Sequence, residues 1–418
     1  MSSEVLAICK PPLQVEVAPG LPVEWSTVTL GDVVEKLAAG VSVNADNRQI
    51  GEGEIGVLKT SCVSGGQFVP DEHKAVLADE LDRVRTPVRA GSIIISRMNT
   101  PALVGANAYV DQDYPDLFLP DRLWQLRTND RADCRWLSYS MQSASFRRFI
   151  DDIATGTSGS MKNISKERLL QAPLVLPPLD EQRRIAKVLR SVDEAIAAAD
   201  GVVREWATTF GTLLDVAFAE GERANLGDIC SLIYRYPGFY GFDQLEAGVP
   251  VIRGEHLRAG RISRDWADFY FVDPAFSARF PKTILQLHDV VMSVRGTVGT
   301  TAVVDAAHVG SQISPNLIRL VANPGKIVPP LLYYAVQSAV AHMRRTIVNA
   351  QALPAINAGD LKQVEIALPS LADQPALLAE LNGAAVAGAD AVSAAQQARH
   401  VKVVVMSDLL SGRVRVPA

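Results

Sequence analysis

The chain has 418 residues, more than one ordinary domain accommodates, so two or three domains are expected. Hydrophobic residues make up 48% and charged residues 21%, a balance typical of proteins with buried cores, and no apolar run reaches the roughly 18 residues of a membrane-spanning helix. The net charge of -5 excludes a generally basic nucleic-acid-binding surface but is compatible with local basic stripes.

The first half of the chain contains four phrases that mark its predicted elements. It opens on LGDV at 30–33, followed by a short apolar strand that ends in a basic residue, VLKT at 57–60. A stronger strand with a polar turn follows, SIIISRMNT at 92–100, and the half closes on LPPLDEQ at 176–182. The N-terminal segment does not resemble a signal peptide.

The second half repeats these phrases in the same order. They read LGDI at 226–229, VIRG at 251–254, DVVMSVRGT at 289–297 and LPSLADQ at 368–374. The copies lie roughly 190–200 residues apart, which is the size of a domain, so the pattern indicates a tandem duplication and not a solenoid of short repeats.

A long amphipathic segment follows each closing phrase. Apolar residues recur at three- and four-residue steps from about 180 to 220 and again from about 372 to 410, which predicts two helices of roughly 60 Å. We expect the helices to pack as an antiparallel, coiled-coil-like pair because a one-sided stripe of that length must be buried. The alternative, in which each helix packs only on its own domain, stays open.

The predicted fold class is α+β. Two α/β domains are joined by two long antiparallel helices, which form a coiled-coil-like spacer in a pseudo-twofold tandem duplication. The predicted segments are an N-terminal extension (1–24), the first α/β domain (25–178), a central long helix (179–222), the second α/β domain (223–370), and a distal long helix with a C-terminal tail (371–418).

Three motifs resemble those of type I restriction-modification specificity (DNA-recognition) subunits. They are LPPLDEQRRIA at 176–186 ahead of a long helix, the turn RGTVG at 295–299, and the ending LLSGRV at 409–414, and the resemblance covers about 30–416. The second closing phrase departs from the pattern because Pro375 stands where the first copy has Arg183, and the alanine- and glycine-rich stretch 383–395 predicts a close-packed helix seam.

The resemblance implies a sequence-specific DNA-binding subunit with no catalytic centre of its own. Each α/β domain would be a target-recognition domain that reads one half of a bipartite site. The long helices would set the spacing between the half-sites and dock the methyltransferase (modification) subunits, of which two are expected. A restriction/translocase subunit would join the complex. The chain itself would need no cofactor, whereas the complex would use S-adenosylmethionine, ATP and Mg. The residues expected to contact a partner are Glu181, Gln182, Arg183, Arg184, Asp373 and Gln374.

Candidate DNA-contacting residues are those with donors that can reach base edges or phosphates from strand ends and loops. In the first domain they are Lys59, Thr60, Ser61, Arg97, Asn99, Thr157, Ser158, Ser160, Lys162 and Asn163. In the second they are Arg235, Tyr236, Arg253, His256, Arg258, Arg295, Thr297, Asn349 and Gln351. For each residue a solvated surface charge or a strand-end cap is the alternative.

Signatures of catalysis and of metal binding are absent from the sequence. It has no Walker A loop, no Cys/His ligand spacing and no nucleophile elbow, so no catalytic or metal residues are predicted. Four scattered cysteines fit a reducing cytoplasm. Two further functions remain open, a specificity-like subunit of another phage-defence assembly and a protein scaffold that does not bind DNA.

Overall fold

The computed structural model describes residues 21–156, 160–235, 243–346, 356 and 358–417. The chain divides into two compact units, unit 1 (residues 1–198 and 395–418) and unit 2 (residues 199–394). Each unit therefore contains one α/β domain, here called a head, and part of both long helices. The sequence-based division into separate head and helix segments stays a prediction.

Unit 1 is built from thirteen named strands and three short α-helices within its described residues, together with the start of the first long helix. The strands are β1 (Ser26–Thr29), β2 (Val34–Ala39), β3 (Ala45–Asp46), β4 (Gly56–Leu58), β5 (His73–Val76), β6 (Pro87–Val88), β7 (Ser92–Ser96), β8 (Met98–Asn99), β9 (Asn107–Val110), β10 (Tyr114–Phe118), β11 (Leu123–Thr128), β12 (Lys162–Asn163) and β13 (Pro173–Leu176). The helices are α1 (Cys134–Ser140), α2 (Ala144–Ile153), α3 (Lys166–Leu170) and the long α4 (Leu179–Ala217).

Two sheets form the body of head 1. One is antiparallel with the order β2-β11-β7-β9, and the other has the order β3-β5-β4-β10-β6, in which β4 and β10 run parallel. Strand β7 is buried on both faces: Ile93 and Ile95 pack into a core with the helices, whereas Ile94 packs into a separate core with the five-stranded sheet. Burial on both faces explains its continuous apolar sequence.

Unit 2 contains eleven named strands over its described residues. They are β14 (Glu222–Asn225), β15 (Cys230–Arg235), β16 (Val249–Ile252), β17 (Leu257–Arg258), β18 (Arg261–Ile262), β19 (Phe271–Val272), β20 (Val290–Ser293), β21 (Thr301–Val303), β22 (Gln312–Ile313), β23 (Leu317–Ala322) and β24 (Glu365–Leu368). The helices are α5 (Leu226–Ile229), α6 (Pro274–Ala278), α7 (Leu331–Thr346), α8 (Ala358–Lys362) and the long α9 (Gln374–Leu410).

Head 2 repeats the strand order of head 1. Its central sheet has the order β15-β23-β20-β21, and a parallel pair, β16 and β22, corresponds to β4 and β10. Strand β20 is also buried on both faces, because Val290 and Met292 pack into one core and Val291 into another. The predicted duplication is therefore present in the topology as well as in the sequence.

The two long helices are confirmed, with bounds within a few residues of the prediction. In unit 1 the first part of α4 packs antiparallel to the last part of α9: Ile185 and Leu189 share a core with Leu409, and Lys402 Nζ lies 2.7 Å from Asp193 Oδ1. The helix parts within unit 2 pack in the same way. There, Trp206 Nε1 donates to the Ala384 carbonyl at 2.8 Å, and Leu214 shares a core with Leu381.

The glutamine of the first closing phrase forms hydrogen bonds that connect two segments inside unit 1. Gln182 is fully buried, and its Oε1 accepts from the Asp133 amide at 2.8 Å. Its Nε2 donates to the carbonyls of Arg131 at 3.1 Å and Pro177 at 2.8 Å. The side chain therefore ties the loop ahead of α1 to the start of α4.

The second closing phrase uses its glutamine in the same way. The Oε1 of buried Gln374 accepts from the Val328 amide at 2.8 Å, and Nε2 donates to the carbonyls of Lys326 at 3.0 Å and Pro369 at 3.1 Å. The repeated motif thus has a structural cause, because each buried glutamine satisfies three backbone groups within its own unit.

Three of the predicted partner contacts need correction. Besides the two buried glutamines, Glu181 is only 2% exposed, and it accepts hydrogen bonds from Trp25 Nε1 at 2.9 Å and from Arg415 Nη2 at 2.8 Å. Glu181, Gln182 and Gln374 are thus occupied inside the chain and do not present a docking surface. For Arg183, Arg184 and Asp373 the docking role stays a prediction.

Candidate nucleic-acid interface

The polar strand ends of head 1 meet at one edge. Strands β4 and β10 are parallel, so Lys59, just after β4, comes level with the chain leaving β10. The loop that follows β10 contains Arg122, whose carbonyl accepts a hydrogen bond from the Arg97 amide at 3.0 Å. Strand β8 then pairs with β12, placing Asn99 opposite Lys162. We call residues 59–61, 97–100, 119–122 and 160–163 the loop edge of head 1.

Head 2 has an equivalent edge. Strands β16 and β22 run parallel, and the Ser314 amide donates to the Ile252 carbonyl at 2.8 Å, which brings Arg253 level with Ser314. The Asn316 carbonyl accepts from the Val294 amide at 2.9 Å. Residues 253–256, 294–300 and 314–316 form the loop edge of head 2.

All three predicted cations at the loop edge of head 1 already have partners inside the chain. Lys59 lies 3.9 Å from Glu72, which also accepts from Ser61 Oγ. The Arg97 guanidinium lies over the Trp124 ring at 5.7 Å, and Lys162 Nζ donates to a backbone carbonyl at 3.2 Å. These contacts fix the side chains in place at the edge, where they remain partly exposed.

The backbone hydrogen bonds define the register between the two strand-turns. The amide of Arg97 and the amide of Val294 play the same part, since each donates to the loop that precedes the next central strand. The structural equivalent of Arg97 is therefore Val294. Arg295 instead lies on an exposed turn with Thr297, next to Gly296, whose φ of 73° favours glycine.

Two predicted residues of head 2 are built into the fold. Arg253 Nη2 donates to the Asp268 carbonyl at 2.7 Å, and Nη1 lies 2.9 Å from Glu255. His256 is 2% exposed, and its ring stacks on Phe269 at 3.8 Å, so it is corrected to a structural residue. Burial, followed by the charge of Arg253, lowers the pKa of the His256 imidazole.

The other predicted residues lie in three places: at the loop edges, on a separate hairpin, or outside the described residues. Thr60 and Asn163 are partly exposed at the edge of head 1 and Ser160 is exposed there, whereas Arg258 is exposed on the separate β17–β18 hairpin. Arg235 Nε donates to the Pro315 carbonyl at 3.2 Å and so braces the edge of head 2. Outside the described residues lie Thr157, Ser158, Tyr236, Asn349 and Gln351.

Four of the ten buried side-chain nitrogen and oxygen atoms that lack a hydrogen-bond partner among the described residues lie at the loop edges. They are Arg97 Nε and Asn163 Oδ1 in head 1, and Arg253 Nε and Ser314 Oγ in head 2. Native proteins leave few such atoms, and a ligand or ordered water is an ordinary explanation for them.

Sequence reasoning did not single out Arg122 and Asn316. Both are exposed, and each immediately precedes a central strand, β11 in head 1 and β23 in head 2. The signal was their shared position in the repeat. Because their residue types differ, a search for identical phrases passes over them.

A family model described as "Type I restriction modification DNA specificity domain" matches residues 22–200. The chain is also similar to the EcoEI type I restriction enzyme specificity subunit of Escherichia coli, with 25% identity over 182 residues, which are 43% of this chain and 30% of that protein. Residues 22–200 are therefore similar to the DNA specificity domain of type I restriction-modification systems. The match to the E. coli subunit thus spans less than a third of its length.

Two further similarities extend over nearly the whole chain. The MjaVIII specificity subunit of Methanocaldococcus jannaschii is 19% identical over 441 residues, covering 95% of this chain and 94% of that one. The crystal structure of the type I restriction-modification S subunit from M. genitalium aligns with a TM-score of 0.53 at 13% identity, covering 96% and 98%. The specificity-subunit fold therefore includes the second head, which lies beyond the match to the family model.

Proposed function

We propose that this chain is the sequence-specific DNA-binding subunit of a type I restriction-modification complex and recognises a bipartite site, one half with each head. The observation that carries the proposal is that both heads present an equivalent loop edge at the ends of a parallel strand pair. A protein with two similar binding edges suits a target that consists of two half-sites.

The proposed partners are methyltransferase subunits, two in number, and a restriction/translocase subunit. Exposed Arg183 and Asp373, each in the first turn of a long helix or just before it, support docking at the helix starts. We infer that the chain itself is not an enzyme, and that S-adenosylmethionine, ATP and Mg act in the partner subunits. Among the described residues no helix is long and apolar enough to cross a membrane.

Selection from random DNA duplexes tests the proposal. The full chain, alone and with its modification subunits, is mixed with the library, and bound DNA is sequenced. We expect enrichment of two short motifs at a fixed separation. Binding with no sequence preference, or no binding, would favour the scaffold.

Replacing Lys162 with alanine is expected to weaken DNA binding by a similar factor for all sequences, because a lysine at the loop edge is suited to contact phosphate. The slope of log K against log salt should fall by about 1. Lys187→Ala is the control, since Lys187 is exposed on α4 away from the loop edge. Fluorescence anisotropy at several salt concentrations measures both variants, and an equal loss in both would argue against a contact at the edge.

A further inference from the structure

Arg122 and Asn316 occupy equivalent backbone positions at the loop edges of the two heads. Each residue is followed at once by the central strand that pairs with β7 or with β20. Their carbonyls accept the equivalent amides of Arg97 at 3.0 Å and Val294 at 2.9 Å. The backbone is thus held in the same way in both heads while the side chain differs.

Both side chains are exposed, and neither has a hydrogen bond, ion pair or ring contact among the described residues. Their neighbours differ in this respect, since Lys59 faces Glu72 and Arg253 is held by the Asp268 carbonyl. An arginine offers five donors and an asparagine offers both donors and an acceptor. The hydrogen-bond donors and acceptors of these two side chains are therefore available to a ligand.

We propose that Arg122 and Asn316 are specificity-determining residues, one for each half-site. Arg122 is assigned to a guanine, because arginine donates two hydrogen bonds to guanine O6 and N7 in the major groove. Asn316 is assigned to an adenine, because its amide matches adenine N6 and N7. This inference rests on the proposed function, and it makes the two half-sites differ at the base that this position faces.

The test exchanges the two side chains in the full chain assembled with its modification subunits. The variants are Arg122→Asn and Asn316→Arg, and bound duplexes are sequenced from a random library as for the unchanged protein. Arg127→Asn is the matched control because Arg127 is exposed on the same strand, β11, and its replacement changes the charge equally. Arg122→Lys is a further variant that keeps the charge but loses the bidentate fork.

We expect Arg122→Asn to lower the preference for guanine at one position of one half-site by about 10- to 100-fold and to favour adenine there. Asn316→Arg should produce the reverse change at one position of the other half-site, and Arg127→Asn should leave both motifs unchanged. Arg122→Lys should retain most of the affinity but reduce the guanine preference.

Unchanged motifs in both exchange variants would overturn the inference, as would a uniform loss of affinity, which indicates phosphate contact. Either result would leave the proposed function intact, because the unchanged protein would still select a bipartite site. Failure of the unchanged protein to select any motif would instead contradict the proposed function, and the inference with it.

Discussion

Replacing Asp289 with alanine is expected to destabilise unit 2 by about 3–5 kcal/mol. Asp289 Oδ2 lies 2.6 Å from Arg319 Nε inside the central sheet, and both residues are at most 4% exposed. The carboxylate also accepts from the Gln286 amide at 2.7 Å. The substitution leaves a buried guanidinium without its counter-charge.

Head 1 contains a neutral version of the same network. Gln125 Oε1 accepts from Ser92 Oγ at 3.2 Å and from the Arg89 amide at 3.0 Å, and Nε2 donates to the Pro87 carbonyl at 3.3 Å. In head 2 the corresponding donation runs from Arg319 Nη1 to the Lys282 carbonyl at 3.1 Å. The same two positions therefore hold a charged pair in head 2 and a neutral pair in head 1.

The double variant Asp289→Ser with Arg319→Gln should recover most of the stability lost in Asp289→Ala. Burial raises the pKa of the Asp289 carboxyl even though the guanidinium of Arg319 opposes the shift. The ion pair thus does not fully offset the cost of desolvation, and neutral replacements of buried pairs are often tolerated.

Hydrogen exchange of peptides from β20 and β23, with urea unfolding, measures these changes. Glu194→Ala is the control, because its pair with Arg190 is exposed on α4 and should contribute less than about 0.5 kcal/mol. Equal effects of Asp289→Ala and Glu194→Ala would contradict the argument. So would a double variant no more stable than the single one.

The duplication, the central strands and the long helices could be predicted because each leaves a periodic or repeated pattern. The run SIII at 92–95 is apolar throughout after its serine because β7 has a core on each face, and the second copy keeps that property. Helix bounds followed from proline and glycine next to a regular apolar stripe. These features depend on patterns of residues along the sequence, so the sequence alone is sufficient to predict them.

The roles of individual polar residues could not be predicted in the same way. Gln182 looks like a surface residue at a helix start, yet its partners include Arg131 and Asp133, some 50 residues earlier in the chain. Arg97 and Arg295 have the same residue type but different positions in the repeat, since the hydrogen bonds match Arg97 with Val294. Long-range contacts decide such cases, and one sequence does not reveal them.

The same substitution at two glycines of α9 is expected to have opposite effects. The sequence predicts a close-packed seam over 383–395, but only one of its two glycines is tightly packed in unit 2. A Cβ atom added at Gly388 would lie 2.1 Å from Trp206 Cε2, whereas one added at Gly383 would meet nothing within 4 Å. At Gly388 the absence of a side chain makes room for the Trp206 ring. At Gly383 no contact requires glycine, and its conformational freedom in the unfolded chain lowers the stability of the helix.

Gly388→Ala should destabilise unit 2 by about 1–3 kcal/mol, as overpacking usually does. The Trp206 ring cannot easily give way, because it stacks on Phe210 at 5.0 Å and donates to the Ala384 carbonyl at 2.8 Å. Gly383→Ala should instead stabilise the helix by about 0.5–1 kcal/mol, since alanine is the better helix former. Urea unfolding of the two variants, followed by the fluorescence of Trp206 in a chain whose other tryptophans are replaced by phenylalanine, measures the difference. Shifts of the same sign in both variants would show that the ring does not fix the approach of the two helix segments in unit 2.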